Sequence, residues 1–129
     1  MNKLKILILE DEKKRVSFLK HALKSRNLFK SVDIVWAISV EEFETLIKFN
    51  NFDLIILDHD LGDSIFDLNG ANAASLLTDS NVPVIIWSVN FDGAKRIESI
   101  LNSKNIVSRK LPFSKTNANV VCQIIAHLV

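Results

Sequence analysis

Apolar residues follow two alternating patterns along this chain. Short aliphatic runs of strand length recur at residues 4–9 (Leu-Lys-Ile-Leu-Ile-Leu), 32–36, 53–58 (Asp-Leu-Ile-Ile-Leu-Asp) and 83–88, with a weaker run at 106–110. Runs this continuous suit strands covered on both faces. Helix-period segments separate them. Residues 13–26 space Val16, Leu19, Ala22, Leu23 and Arg26 at helical intervals, with Lys and Arg opposite, which predicts an amphipathic helix with a solvated basic face. Ser39 and Glu42 have capping-box spacing and open a helix to about residue 49, with Phe43, Leu46 and Ile47 on its apolar side. Further helices are predicted near 71–78, 94–103 and 117–128, the last with Val120, Val121, Ile124, Ile125 and Leu128 on one side.

Five strands alternating with five helices predict an α/β fold: a doubly wound five-stranded parallel sheet with helices on both faces. Its 129 residues suffice for one domain over 1–129, with no output domain attached. Charge changes the picture little at first. Sixteen basic residues against fifteen acids give a net charge of +1, which argues against a dedicated nucleic-acid or membrane-surface binder. No signal peptide or spanning segment is visible, and the single cysteine, Cys122, fits a reducing compartment, so a cytoplasmic protein is expected. With only three glycines, phosphate loops of the Walker or dinucleotide type are excluded.

In such sheets, ligands bind beyond the carboxyl ends of the strands. The first strand ends in Glu10-Asp11-Glu12, the third in Asp58-His59-Asp60, the fourth in Ser88-Val89-Asn90 and the fifth in Arg109-Lys110. Seven of the fifteen acids lie in 10–12 or 58–67, namely Glu10, Asp11, Glu12, Asp58, Asp60, Asp63 and Asp67. Carboxylates brought this close repel one another unless a cation neutralises them, and Mg²⁺ or Mn²⁺ with oxygen ligands meets that need. Ser88 and Lys110 could then hold phosphate oxygens, and Asp58 could accept a phosphoryl group.

The motifs ILILEDE (6–12), DLIILD (53–58), PVIIWS (83–88) and KLPF (110–113), in that order, resemble a response-regulator receiver domain over essentially the whole chain. The resemblance implies the strand order 2-1-3-4-5. It also implies Glu10 and Asp11 as the acidic metal pair, Asp58 as phosphoacceptor and metal ligand, and the Asp60 main-chain carbonyl as a further ligand. Ser88 would be the switch hydroxyl and Lys110 the phosphate-binding lysine. The implied partners are a histidine kinase or phosphotransfer protein and a downstream protein, with no nucleic acid and no membrane, the chain being a monomer or weak dimer. On this reading the protein is a stand-alone phosphoacceptor rather than an enzyme. Leu111 separates Lys110 from Pro112 where the family has Lys-Pro, so an alignment anchored on Pro112 puts Leu111 in the lysine's place. The usual fifth-strand aromatic falls near Val107.

Asp58-His59-Asp60-Leu61-Gly62 is similar to the signature of a receiver-like branch that processes cyclic phosphates. That branch tends to end its fourth strand in His-Ser-x-Asn; here the run is Trp87-Ser88-Val89-Asn90. This second resemblance implies a metal-dependent phosphoesterase with His59 as acid and base. A third alternative is a degenerate receiver that only binds a partner.

Overall fold

The computed structural model describes residues 3–61 and 68–128. Gly62, Asp63 and Asp67 of the acidic loop lie outside the described residues. Strands β1 (Leu4–Leu9), β2 (Val32–Ala37), β3 (Leu54–Leu57), β4 (Val84–Trp87) and β5 (Ser108–Leu111) form one sheet in the order β2-β1-β3-β4-β5. Every pairing is parallel. The helices between them are α1 (Lys13–Ser25), α2 (Val40–Phe49), α3 (Gly70–Leu76), α4 (Phe91–Ser103) and α5 (Lys115–Leu128). The predicted fold class and strand order are therefore both observed. Among the described residues, no helix is long and apolar enough to cross a membrane.

The continuous aliphatic runs follow from two separate cores, one on each face of the sheet. Leu7, Leu9, Ile55, Leu57, Val84 and Ile86 point toward α2, α3 and α4, where Phe43, Ala74, Ile97 and Leu101 cover them. Ile6, Ile8, Leu54, Ile56, Ile85, Trp87 and Leu111 point the other way, onto Val16, Leu19 and Leu23 of α1 and Val121, Cys122 and Ile125 of α5. This alternation is the period of two expected of any strand. It also decides which face each residue beyond a strand end will serve.

Local chemistry sets the helix starts. Ser39 accepts a hydrogen bond from the Glu42 amide at 3.2 Å, as its capping pattern predicts. Asn90 caps α4 by accepting from the Gly93 amide at 2.8 Å, so that helix begins three residues earlier than its apolar spacing suggests. The predicted fifth strand also moves. Ile106 is buried, but its amide bonds back to the Leu101 carbonyl at 3.0 Å, and Asn105 has a φ of 59°. These residues close α4, and β5 starts only at Ser108. The strand consequently ends on Leu111, paired with Trp87, while Lys110 pairs with Ile86.

The ladders continue past the strand ends and fix the edge that carries the polar groups. Glu10 N–H donates to the Ala37 carbonyl at 3.0 Å, Asp58 N–H to Leu9 at 3.2 Å and Ser88 N–H to Leu111 at 3.2 Å. The Trp36 indole N–H donates to the Glu10 carbonyl, tying the end of β2 to the end of β1.

Candidate functional site

Glu10 follows Ile8 by two residues and Asp58 follows Ile56 by two, so both side chains turn to the α1 face of the sheet. They are nearly sealed from solvent, with relative exposures of 4% and 2%. Asp11 joins them at the pocket's rim, and one carboxylate oxygen from each of the three lies within 4.8 Å of the others. The sequence-based expectation that these acids converge is met. Burial, reinforced by the negative charge of Asp58, pushes the Glu10 carboxyl up to about 8. Burial likewise raises the Asp58 carboxyl, against the opposing pull of the Ser88 hydroxyl and Arg15. Three clustered oxygen donors whose charge is this poorly compensated suit a hard divalent ion.

A cation already enters the pocket, and it comes from a residue the sequence reading assigned to a solvated face. Arg15, in the first turn of α1, places Nη1 3.1 Å from Asp58 Oδ2 and 3.5 Å from Glu10 Oε1, while its Nε lies 3.1 Å from Glu12 Oε2. Its guanidinium lies 4.6 Å from the centre of the Phe113 ring, and that ring packs against Trp87 with centroids 4.5 Å apart. The signal was present in the spacing: Arg15 precedes the buried Leu19 by four residues and Leu23 by eight, so it shares their side of the helix.

Lys110 corrects the opposite expectation. Its Nζ lies 3.1 Å from Glu98 Oε1 on α4 and 5.8 Å from the centre of the Phe91 ring. The cause is register. Lys110 pairs with Ile86, whose side chain faces α4, whereas Leu111 pairs with Trp87 on the face that Asp58 also uses. The alignment anchored on Pro112 therefore puts a buried leucine in the lysine's place, and the Lys110 ammonium is on the far side of the sheet.

Ser88 does join the site. Its buried hydroxyl oxygen accepts from the Asn90 amide at 3.1 Å, and the hydroxyl draws the Asp58 carboxyl down against the effect of burial. Asp58 Oδ1 accepts from the His59 amide at 2.8 Å.

His59, one residue on, turns to the α4 face. Its Nδ1 lies 2.8 Å from Asp60 Oδ1, and Asn90 Nδ2 donates to the same oxygen at 3.0 Å. The Asp60 carboxyl is held below the usual carboxylate range, first by His59 and then by Asn90. An ionised carboxylate can only accept, so the proton between the two must reside on Nδ1. That fixes the orientation of the imidazole through Nδ1. Close packing enforces the arrangement. A Cβ on Gly70 would stand 2.1 Å from the Asp58 carbonyl oxygen, a contact no side chain can make. Among the other candidates, His21 on α1 and His127 on α5 are exposed, and Val107 is 71% exposed.

Comparison with known proteins agrees with this architecture. The receiver domain of the Francisella response regulator 1452 superposes with a TM-score of 0.67 at 26% identity, covering 98% of each chain. The non-phosphorylated HemR receiver domain of Leptospira biflexa gives 0.72 at 22% identity, over 98% of this chain and 97% of that one. The response regulator TrrA of Thermotoga maritima, solved in complex with Mg²⁺ and BeF, gives 0.71 at 20% identity, over 98% and 99%. No curated protein matches the chain significantly. The family model that matches, over residues 5–103, is the cyclic-phosphate processing receiver domain, and it spans β1 through α4 with the acidic trio, the fixed histidine and its Asn90 partner. The chain belongs to that family of receiver domains.

Proposed function

We propose that this pocket hydrolyses a cyclic phosphate ester with a divalent ion, Mg²⁺ or Mn²⁺, held by Glu10, Asp11, Asp58 and the Asp60 main-chain carbonyl. The observation that carries the reading is the hold on His59: Asp60 fixes its Nδ1 and Asn90 in turn holds Asp60, at the same strand-end edge as three carboxylates clustered within 4.8 Å of one another. The family description supports it. When bound, the ion would polarise the phosphate and neutralise its charge. The chain's own residues do the rest. Glu10, Asp11 and Asp58 bind, Asp60 and Asn90 orient the imidazole, and Ser88 offers a hydroxyl at the rim. A water oxygen forms the new bond to phosphorus as one ring ester bond breaks. His59 Nε2 delivers a proton to the departing ester oxygen, and the proton released by the water restores the imidazolium. The test is turnover of nucleoside 2′,3′-cyclic phosphates with Mg²⁺ or Mn²⁺. Hydrolysis by the wild type that falls about 100-fold in His59→Ala is expected. A wild type without turnover would overturn the reading.

A second reading rests on a different observation, the burial of the Asp58 carboxylate and the Ser88 hydroxyl at the ends of the neighbouring strands β3 and β4. There Asp58 attacks the phosphorus of a donor, the donor's bond to phosphorus breaks (P–N in a phosphohistidine, P–O in acetyl phosphate), and an acyl phosphate forms. The donor would be a histidine kinase or phosphotransfer protein, and the added charge would be read by a downstream protein. Intact mass after incubation with acetyl phosphate and Mg²⁺ tests it: a phosphoryl adduct on wild type and none on Asp58→Asn is expected. An adduct on both, or on neither, would remove it.

A further inference from the structure

We infer that Arg15 is the phosphate-binding cation of this pocket, in place of Lys110, and that it is also the internal counter-ion a divalent metal must relieve. The inference rests on the pocket taking a divalent ion and a phosphate, as proposed above. Four observations converge on it. Lys110 is committed to Glu98 on the other face of the sheet. Arg15 alone among the described cations has a nitrogen within 4.0 Å of Asp58 or Glu10. Its hydrogen bonds and ion pairs to described residues use Nη1 and Nε, and Nη2 donates to no described residue. The Phe113 ring, backed by Trp87, holds the guanidinium at the pocket independently of the carboxylates.

Charge gives the order of events. Arg15 is the one described cation in contact with the carboxylates of Glu10, Glu12 and Asp58, and the acidic cluster it faces can still take the charge of a divalent ion. Once the ion is bound, the carboxylates no longer need Arg15, and like charge drives its Nη1 off Asp58 Oδ2. The stack on Phe113 keeps it within the site. A planar fork released there meets two phosphate oxygens at once, a geometry that an ammonium cannot supply. Arg15 therefore opposes metal binding when phosphate is absent and favours anion binding when metal is present.

The two effects have opposite signs in one variant, which makes the assignment testable on the full chain. Mn²⁺ affinity is read by electron paramagnetic resonance without phosphate, and orthophosphate affinity by titration of the Mn²⁺-loaded protein. Arg15→Ala should bind Mn²⁺ several-fold more tightly than wild type and orthophosphate about tenfold more weakly. Arg15→Lys, which keeps the charge and loses the fork, guards against a folding artefact and should recover the wild-type Mn²⁺ affinity but not the orthophosphate affinity. Lys110→Ala should change neither. Unchanged orthophosphate affinity in Arg15→Ala, or an equal loss in Lys110→Ala, would overturn the role of Arg15 while leaving the metal site standing. A wild type that binds no Mn²⁺ would remove both readings together.

Discussion

A Cβ atom on Gly93 would stand 2.3 Å from Cγ of His59, so the absence of a side chain at one position is what leaves room for the imidazole at the other. Gly93 lies within α4, where exchanging glycine for alanine ordinarily stabilises a helix by about 1 kcal/mol. Here the sign should reverse. Gly93→Ala must either push the His59 ring off Asp60 or bend the start of α4, and overpacking of this kind costs roughly 1–3 kcal/mol. Thermal denaturation should show a lower midpoint, and the His59 ring resonances should move away from their wild-type positions. A higher midpoint with unchanged ring resonances would mean that the close approach is not as described.

The Glu10 carboxyl, pushed up to about 8 by burial and by Asp58, sets a pH dependence of known sign. The metal-free folded chain holds this proton more tightly than the unfolded chain, whose Glu10 titrates near 4.5. Its contribution to stability is therefore complete below about 4.5 and is lost as pH rises through about 8. Chemical denaturation in chelator should show stability declining across that window, and Glu10→Gln should flatten the decline. Mn²⁺ competes with the same proton, so its affinity should climb with pH up to about 8 and then level.

Trp87 is buried against Phe113, and its indole N–H has no hydrogen-bond partner among the described residues. An unpaired buried donor stabilises nothing, so the ring's contribution is packing. Trp87→Phe should change the unfolding free energy by less than ~1 kcal/mol, whereas Trp87→Ala should cost about 3–5 kcal/mol. Urea denaturation of the two variants separates packing from hydrogen bonding. A large loss in Trp87→Phe would reveal a partner for the indole nitrogen.

The one-residue offset in β5 can be tested by moving the charge. Leu111 shares the face of Asp58, and Lys110 does not. In an Arg15→Ala background, Leu111→Lys should restore part of the lost orthophosphate affinity. It should also cost roughly 1.5–3 kcal/mol in stability, the worth of a buried leucine side chain. No recovery, in a variant that still melts cooperatively, would argue against Leu111 facing the pocket.

The acidic half of the site could be read from the sequence because it depends on adjacency alone. Glu10, Asp11 and Asp58 follow aliphatic runs directly, so locating the strands located the acids. The cations could not be read so directly. Lys110 depended on where β5 begins, and a buried Ile106 mimics strand periodicity while closing α4. Arg15 depended on which side of α1 faces the sheet edge at its first turn. Charge type suggested solvent, and only the spacing to Leu19 and Leu23 pointed inward. The hold on His59 needed Asn90 and Gly93, which lie 31 and 34 positions away along the chain, and no local pattern links them.

Asp58 and His59 are consecutive, yet they open onto opposite sides of the sheet. Both stand beyond the last residue of β3, so the two sides meet at this edge one peptide unit apart. The His59 N–H is bonded to Asp58 Oδ1, and the His59 carbonyl is bonded to the Gly70 N–H at the start of α3. Any change in charge or length at the Asp58 carboxylate pulls first on that amide. Two hydrogen bonds in series, both made by the His59 backbone, thus join the carboxylate on the α1 side to the first residue of α3.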